Sequence, residues 1–234
     1  MILILKGFNA RKIKLFLAFF CIIPIKIVYL QGEINRDSVM RINEILADNG
    51  PIVFEPDVYK DSRGYFFESF NGKVLDDIKE LTGLNINFTQ DNESKSSKGV
   101  FRGLHFQLPP YEQAKLVRVV RGAVIDIVMD LRKDSPYYTK VYKVCLSEDN
   151  KCQFYIPAGF AHGFLSLKDD TIFQYKCSNV YNKESEGGIN VYSIGDLEVN
   201  LLIRTISDKD KSLPSLEEFL KNNPFQTANY GIKY

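Results

Sequence analysis

Two short segments hold the side chains best suited to chemistry. The chain has only two histidines, and His105 stands in Gly99-Val100-Phe101-Arg102-Gly103-Leu104-His105-Phe106-Gln107, a strand-like, charged stretch flanked by glycine. His162 stands in Pro157-Ala158-Gly159-Phe160-Ala161-His162-Gly163-Phe164, a turn loaded at its end. Imidazole takes up and releases protons near neutral pH, so both positions point to proton transfer. The competing reading is two core histidines whose nitrogens are satisfied by backbone.

The scaffold that must position them is bounded by composition. A chain of 234 residues with 45% hydrophobic and 25% charged residues is globular and long enough to bury a core in one large domain. Thirty basic against 29 acidic residues leave a net charge of +1, which argues against a general nucleic-acid binder. The four cysteines, Cys21, Cys145, Cys152 and Cys177, show no CxxC spacing. They read as free, buried thiols in a reducing compartment, although Cys145 and Cys152 can approach each other across a hairpin. Residues 1–39 stand apart. Arg11 to Lys14 is basic and Leu15 to Ile25 is apolar, which resembles a signal-peptide core and is short for a membrane span. No small-x-small cleavage site follows. This segment reads as a leader without catalytic role: an anchor, a loosely packed extension, or sequence upstream of a start at Met40. Residues 40–234 read as a single domain.

From Ile52 onward short strands dominate. Runs at 52–55, 65–70, 86–89, 114–120, 123–131, 141–146, 152–156, 163–167 and 171–176 are separated by turn signals such as Arg121-Gly122 and Ser147 to Lys151. Val74, Leu75, Ile78 and Leu81 recur at helical spacing, and Leu216 to Leu220 predicts a closing helix. Strands at intervals of roughly 8–12 residues predict an all-β sandwich or barrel.

Several of these segments together resemble a known family. They are Asp61-Ser62-Arg63-Gly64-Tyr65-Phe66-Phe67-Glu68-Ser69-Phe70, Gln90-Asp91-Asn92-Glu93-Ser94, Arg102 to Gln107, Lys115 to Gly122, Ile156 to Phe164, Phe173-Gln174-Tyr175-Lys176 and Ser207-Asp208-Lys209-Asp210. In this order, over about 52–213, they resemble the dTDP-4-dehydrorhamnose 3,5-epimerases of deoxysugar biosynthesis. The resemblance implies a cupin-type double-stranded β-helix, or jelly-roll barrel, with a few short peripheral helices. Two features depart from the family. Asn190-Val191-Tyr192-Ser193 stands where members carry a tryptophan-containing segment, and the leader has no counterpart.

The implied reaction inverts C3 and C5 of a dTDP-4-keto-6-deoxy sugar beside the C4 ketone. It needs a base, a group that stabilises the enolate, and an acid on the opposite face. By resemblance these are His105 oriented by Asp210, Lys115 and Tyr175. Arg63 and Arg102 match phosphate contacts, Gln90 and Asn92 match base contacts, and Asp91 matches a substrate contact. Tyr181 is placed to stack on the base, and Glu68, His162, Glu186 and Lys209 match further substrate contacts. Taken singly, each of these is more simply a solvated or structural side chain, and Asp210 alone reads as a loop charge. No cofactor is implied. Pro157-x-Gly159-x-x-His162 matches the second cupin signature, yet the H-x-H pair of the first is missing, so no metal is expected. The resemblance also implies a homodimer whose N-terminal strands pair across subunits, with Arg63 and Glu68 completing the neighbouring site. It implies a cytoplasmic enzyme, with membrane contact only through a retained leader. A 3-epimerase or ketoisomerase on a related sugar, and a non-catalytic sugar-nucleotide-binding jelly roll, are the alternatives.

Overall fold

A computed structural model describes residues 40–195 and 197–226, and the leader expected over residues 1–39 lies outside them. The chain folds as a jelly roll of two facing sheets. In chain order the strands are β1 (Met40–Ile45), β2 (Ile52–Pro56), β3 (Tyr59–Asp61), β4 (Gly64–Phe66), β5 (Gln90–Ser96), β6 (Val100–Gln107), β7 (Lys115–Arg121) and β8 (Ala123–Asp130). They continue with β9 (Val141–Ser147), β10 (Gln153–Ile156), β11 (Phe160–Ser166), β12 (Thr171–Cys177), β13 (Glu186–Gly188) and β14 (Thr205–Ile206). The helices are α1 (Lys73–Thr82), α2 (Asp208–Lys211) and α3 (Leu216–Lys221). One sheet runs β1-β2-β10-β7-β12-β5 and the other β13-β6-β11-β8-β9, with β14 also on β6.

Strand alternation sorts the side chains into three apolar layers. Val53, Val117, Val119, Phe154 and Phe173 of the first sheet meet Val124, Val128, Leu146, Phe160 and Phe164 of the second in the interior. The outer face of the second sheet packs Phe101, Leu104, Ile127 and Leu165 under the C-terminal residues Ile189, Val191, Ile206 and Phe225. The outer face of the first packs Phe54, Leu116 and Tyr155 under Val74 and Ile78 of α1. That helix ends on Gly83 at φ +70°, whose N–H donates to the Lys79 carbonyl, as a left-handed cap requires.

Two expected strands are revised. Residues 86–89 form no strand; Ile86 and Phe88 pack into the layer under α1, and regular pairing with β12 starts only at Gln90. In the aromatic run 65–70 only Tyr65 and Phe66 are paired, in the β3–β4 hairpin, while Phe70 turns inward against Phe88. Cys145, Cys152 and Cys177 are free thiols, with Cys145 only partly buried. The Asn190–Ser193 segment forms a short turn capped by the Asn190 side chain, burying Val191 and exposing Tyr192 on the outer face.

One irregularity bears directly on the site. Along β6 and β11, Arg102 faces Phe164 and His105 faces His162, so Gly103 and Leu104 together oppose the single residue Gly163. This is a β-bulge, and it places Arg102 and His105 on the same, inward face. Gly103 has φ +122°, and a Cβ there would stand 2.5 Å from Gly163 Cα and 2.7 Å from the His162 carbonyl oxygen. Only glycine fits. Gly103→Ala is therefore expected to lower the unfolding free energy by about 2 kcal/mol or more, read from urea denaturation.

Candidate active site

The bulge delivers His105 to a carboxylate 105 positions downstream. Strand β14 pairs in parallel with the start of β6, Thr205 beside Val100 and Ile206 beside Phe101. The chain then turns into α2, where the Ser207 hydroxyl caps the helix by accepting from the Asp210 N–H at 3.0 Å. Asp210, 5% exposed at its side chain, lies with Oδ1 2.7 Å from His105 Nε2. Its Oδ2 accepts from the Gly103 N–H at 3.3 Å. Burial pushes the Asp210 carboxyl up, but the bonds from His105, Gly103 and Ser207 outweigh it and hold the group below its ordinary value. A carboxylate only accepts, so Nε2 carries the hydrogen and Nδ1 is left as the basic nitrogen. The short polar run that reads as a loop charge is thus a capped helical turn built around a buried acceptor.

A cavity of about 320 Å³ opens in front of the pair, lined by Gln90, Asn92, His105, Lys115, Tyr175 and Glu186 among others. Register explains the grouping. Lys115 on β7 faces Cys177 on β12, and Cys177 in turn faces Gln90 on β5, with Tyr175 facing Asn92 two residues on. All five side chains stand on the inward face. Burial draws the Lys115 ammonium below its ordinary value, partly offset by the nearby Cys177, Asp126 and Glu186. Burial pushes the Tyr175 hydroxyl up. The cavity therefore presents the free Nδ1 of His105, a phenol that burial keeps protonated, and the Lys115 amine.

At the mouth the polar groups order one another. The Tyr181 N–H donates to Gln90 Oε1, and Gln90 Nε2 donates to Asn92 Oδ1, both at 2.9 Å. The Tyr181 hydroxyl donates to Glu186 at 2.9 Å, and the Lys209 ammonium sits 2.6 Å from the same carboxylate. Each amide keeps a free donor and acceptor edge, and the Tyr181 ring is 53% exposed beside them. Arg102 shares the inward face with His105 and is held by the Ser96 hydroxyl and the Lys95 carbonyl, each at 3.0 Å.

Seven of the residues picked out in the sequence do not line this cavity. Asp210, Arg102 and Lys209 act at its edge through the contacts above, and the other four stand apart from it. Asp91 alternates to the other face of β5 and pairs with Lys176 at 2.5 Å. Arg63 stands on the tip of the β3–β4 hairpin, 88% exposed at its side chain and bonded to Asp61. Glu68 accepts from Asn71 at 2.6 Å. His162 is buried behind the cavity wall, its Nε2 3.0 Å from Asp126 Oδ2. The sequence reading passes over Asp126, Gln107 and Gln113. Asp126 left a signal: it is an acid in the middle of the apolar strand Ala123–Asp130, where Asp130 only ends the run. Among the described residues no group of three or more His, Cys, Asp or Glu is arranged to hold a metal ion.

The comparisons agree with the geometry. The family model described as dTDP-4-dehydrorhamnose 3,5-epimerase matches residues 46–218. A relative of that name from Shigella flexneri is 49% identical over 161 residues, covering 68% of this chain and 87% of its own length. Among solved structures, the epimerase of Bacillus anthracis with TDP and PPi bound matches at TM-score 0.67 and 39% identity, over 76% of this chain and 99% of its own. The Legionella pneumophila enzyme in complex with dTDP-4-keto-L-rhamnose matches at TM-score 0.66 and 40% identity, over 76% of this chain and 93% of its own.

Asp210 also leaves a mark on stability. A carboxyl with a lowered folded pKa stabilises the fold above its ordinary value of 3.8, and that contribution disappears as pH falls through the folded pKa. The stability difference between the natural protein and Asp210→Asn is expected to be full at pH 6 and to be lost only as pH falls below 3.8 through the folded pKa, in urea titrations at stepped pH.

Proposed function

This chain belongs to the dTDP-4-dehydrorhamnose 3,5-epimerase family, and from its residues we infer how it performs the reaction. It is an isomerase that converts dTDP-4-dehydro-6-deoxy-D-glucose to dTDP-4-dehydro-L-rhamnose. The observation that carries the residue roles is the His105–Asp210 contact of 2.7 Å at the wall of a cavity that also holds Lys115 and Tyr175.

The C4 ketone acidifies the hydrogens on C3 and C5. His105 Nδ1 removes each in turn as general base, while Asp210 holds the ring in place and stabilises the imidazolium that forms. The electrons move onto the ketone oxygen. Lys115 has no ion pair or hydrogen bond among the described residues, so its ammonium is available to neutralise that oxyanion. Tyr175 returns a proton on the opposite face; its raised pKa keeps it protonated in the working range. Gln90 and Asn92 read the edge of the pyrimidine, Tyr181 stacks on its face, and Arg102 serves the diphosphate. The Glu186–Lys209 pair closes the mouth.

The active unit in this reading is a homodimer. Strand β1 lies at the edge of its sheet, and Tyr59, Tyr65 and Phe66 on the β3–β4 hairpin are more than half exposed. Such a hairpin is better covered by a second copy, which would carry Arg63 and Glu68 into the partner's cavity. Three free thiols favour the cytoplasm. No described helix is long and apolar enough to cross a membrane.

His105→Ala is expected to lower turnover roughly 10²–10⁴-fold with the fold intact, measured by NMR of substrate conversion. A variant with undiminished turnover would remove His105 from the reaction. Mixing subunits tests the hairpin. Arg63→Ala and His105→Ala chains, each inactive alone, are expected to regain about a quarter of full activity after random reassortment, because each mixed dimer holds one intact site of two. No regain would confine Arg63 to its own chain.

A further inference from the structure

Behind the cavity wall lies a second acid–imidazole pair that the steps above do not use. Asp126 is fully buried in the middle of β8, with Val124 and Val128 on the same face. Its Oδ2 is 3.0 Å from His162 Nε2, and its Oδ1 is buried without a hydrogen-bond partner among the described residues. His162 faces His105 directly across β11 and β6 and stacks over the Phe173 ring at 6.2 Å between centroids. A carboxylate oxygen left bare inside a protein is unfavourable unless a cation lies close enough to balance it.

The charges around the cavity identify that cation. From β13, Glu186 is committed to Lys209 and Tyr181; from α2, Asp210 is committed to His105. Tyr175 and Cys177 point inward from β12 and His105 from β6, with His162 behind the wall on β11, and none carries a fixed negative charge near neutral pH. Lys115 on β7 shares the interior face of Val117 and Val119, Asp126 on β8 shares that of Val124 and Val128, and among the described residues no lysine or arginine is ion-paired with Asp126.

We propose that Asp126 is a positioning residue of the epimerase: it fixes His162 with hydrogen on Nε2, leaving Nδ1 as an acceptor, and supplies the counter-charge that keeps Lys115 an ammonium. The second half rests on the role given to Lys115 above. Burial draws Lys115 down and Asp126 draws it back up. Burial likewise draws His162 down, so its imidazole stays neutral and only the tautomer remains to be chosen. Asp126 acts on the substrate only through these two neighbours, in the manner of a carboxylate that orients a catalytic histidine.

Asp126→Asn keeps the size and one acceptor oxygen while removing the charge. The alkaline limb of the kcat/KM profile is expected to move down by about one pH unit in Asp126→Asn and to return in Asp126→Glu. Affinity for dTDP, which is read at the cavity mouth, is expected to stay unchanged. An unmoved limb in a variant that folds and binds dTDP would overturn the counter-charge. Nitrogen NMR of the unliganded natural protein tests the tautomer independently, since it has only two imidazoles to resolve. Hydrogen on Nε2 of His162 is expected; hydrogen on Nδ1 would overturn the proposal. In the same spectra the Lys115 amine is expected to titrate lower in Asp126→Asn. Both spectral readouts hold whether or not the natural protein turns over the sugar, so absent turnover would count against the function and leave this proposal decided.

Discussion

Everything at this site depends on one hydrogen bond, 2.7 Å long, between side chains 105 positions apart. Three local features must coincide to form it. A glycine-only bulge turns His105 inward, the two-residue strand β14 lays the C-terminal chain along β6, and Ser207 caps a single helical turn that aims Asp210 at the ring. Each feature alone is weak. Together they remove the carboxylate from water and give it three donors, which settles the imidazole tautomer and leaves the other nitrogen basic.

The jelly roll contributes a dry interior with one open end. Inward positions deep in the barrel are aromatic and aliphatic, and those near the mouth become Gln90, Asn92, Lys115 and Tyr175 on the same strands. Burial then acts in opposite directions on acid and base. It raises the phenol and lowers the ammonium, so one low-dielectric environment holds the Tyr175 proton more firmly and the Lys115 proton less firmly. The outer layers, α1 on one sheet and the C-terminal segment on the other, keep the sheets rigid enough for this to persist.

Much of the scaffold was legible because its strands alternate cleanly. The runs at 115–121, 123–130 and 171–177 match the expected strands within a residue or two, and α1 matches its helical spacing. Strand β5 was hard to read for a physical reason: Gln90–Ser96 is polar on both faces, one lining the cavity and one facing solvent, so no hydrophobic period marks it. The apolar residues just before it, Ile86 and Phe88, alternate because they pack beneath α1, which mimics a strand. Asp210 was legible only through family resemblance, since a short polar run does not reveal a partner supplied by parallel pairing. Arg63, Glu68 and Asp91 share motifs with site residues, yet within one chain they lie on a hairpin tip, a loop and the reverse face of β5.

The most direct test is to run the reaction in deuterium oxide and follow the sugar by NMR. Abstraction by His105 beside the ketone, with return of a solvent-derived proton from the other face, predicts deuterium at both C3 and C5 of the product. Exchange at C3 alone would restrict the enzyme to a single inversion. No exchange at either carbon would contradict proton transfer by the His105–Asp210 pair altogether.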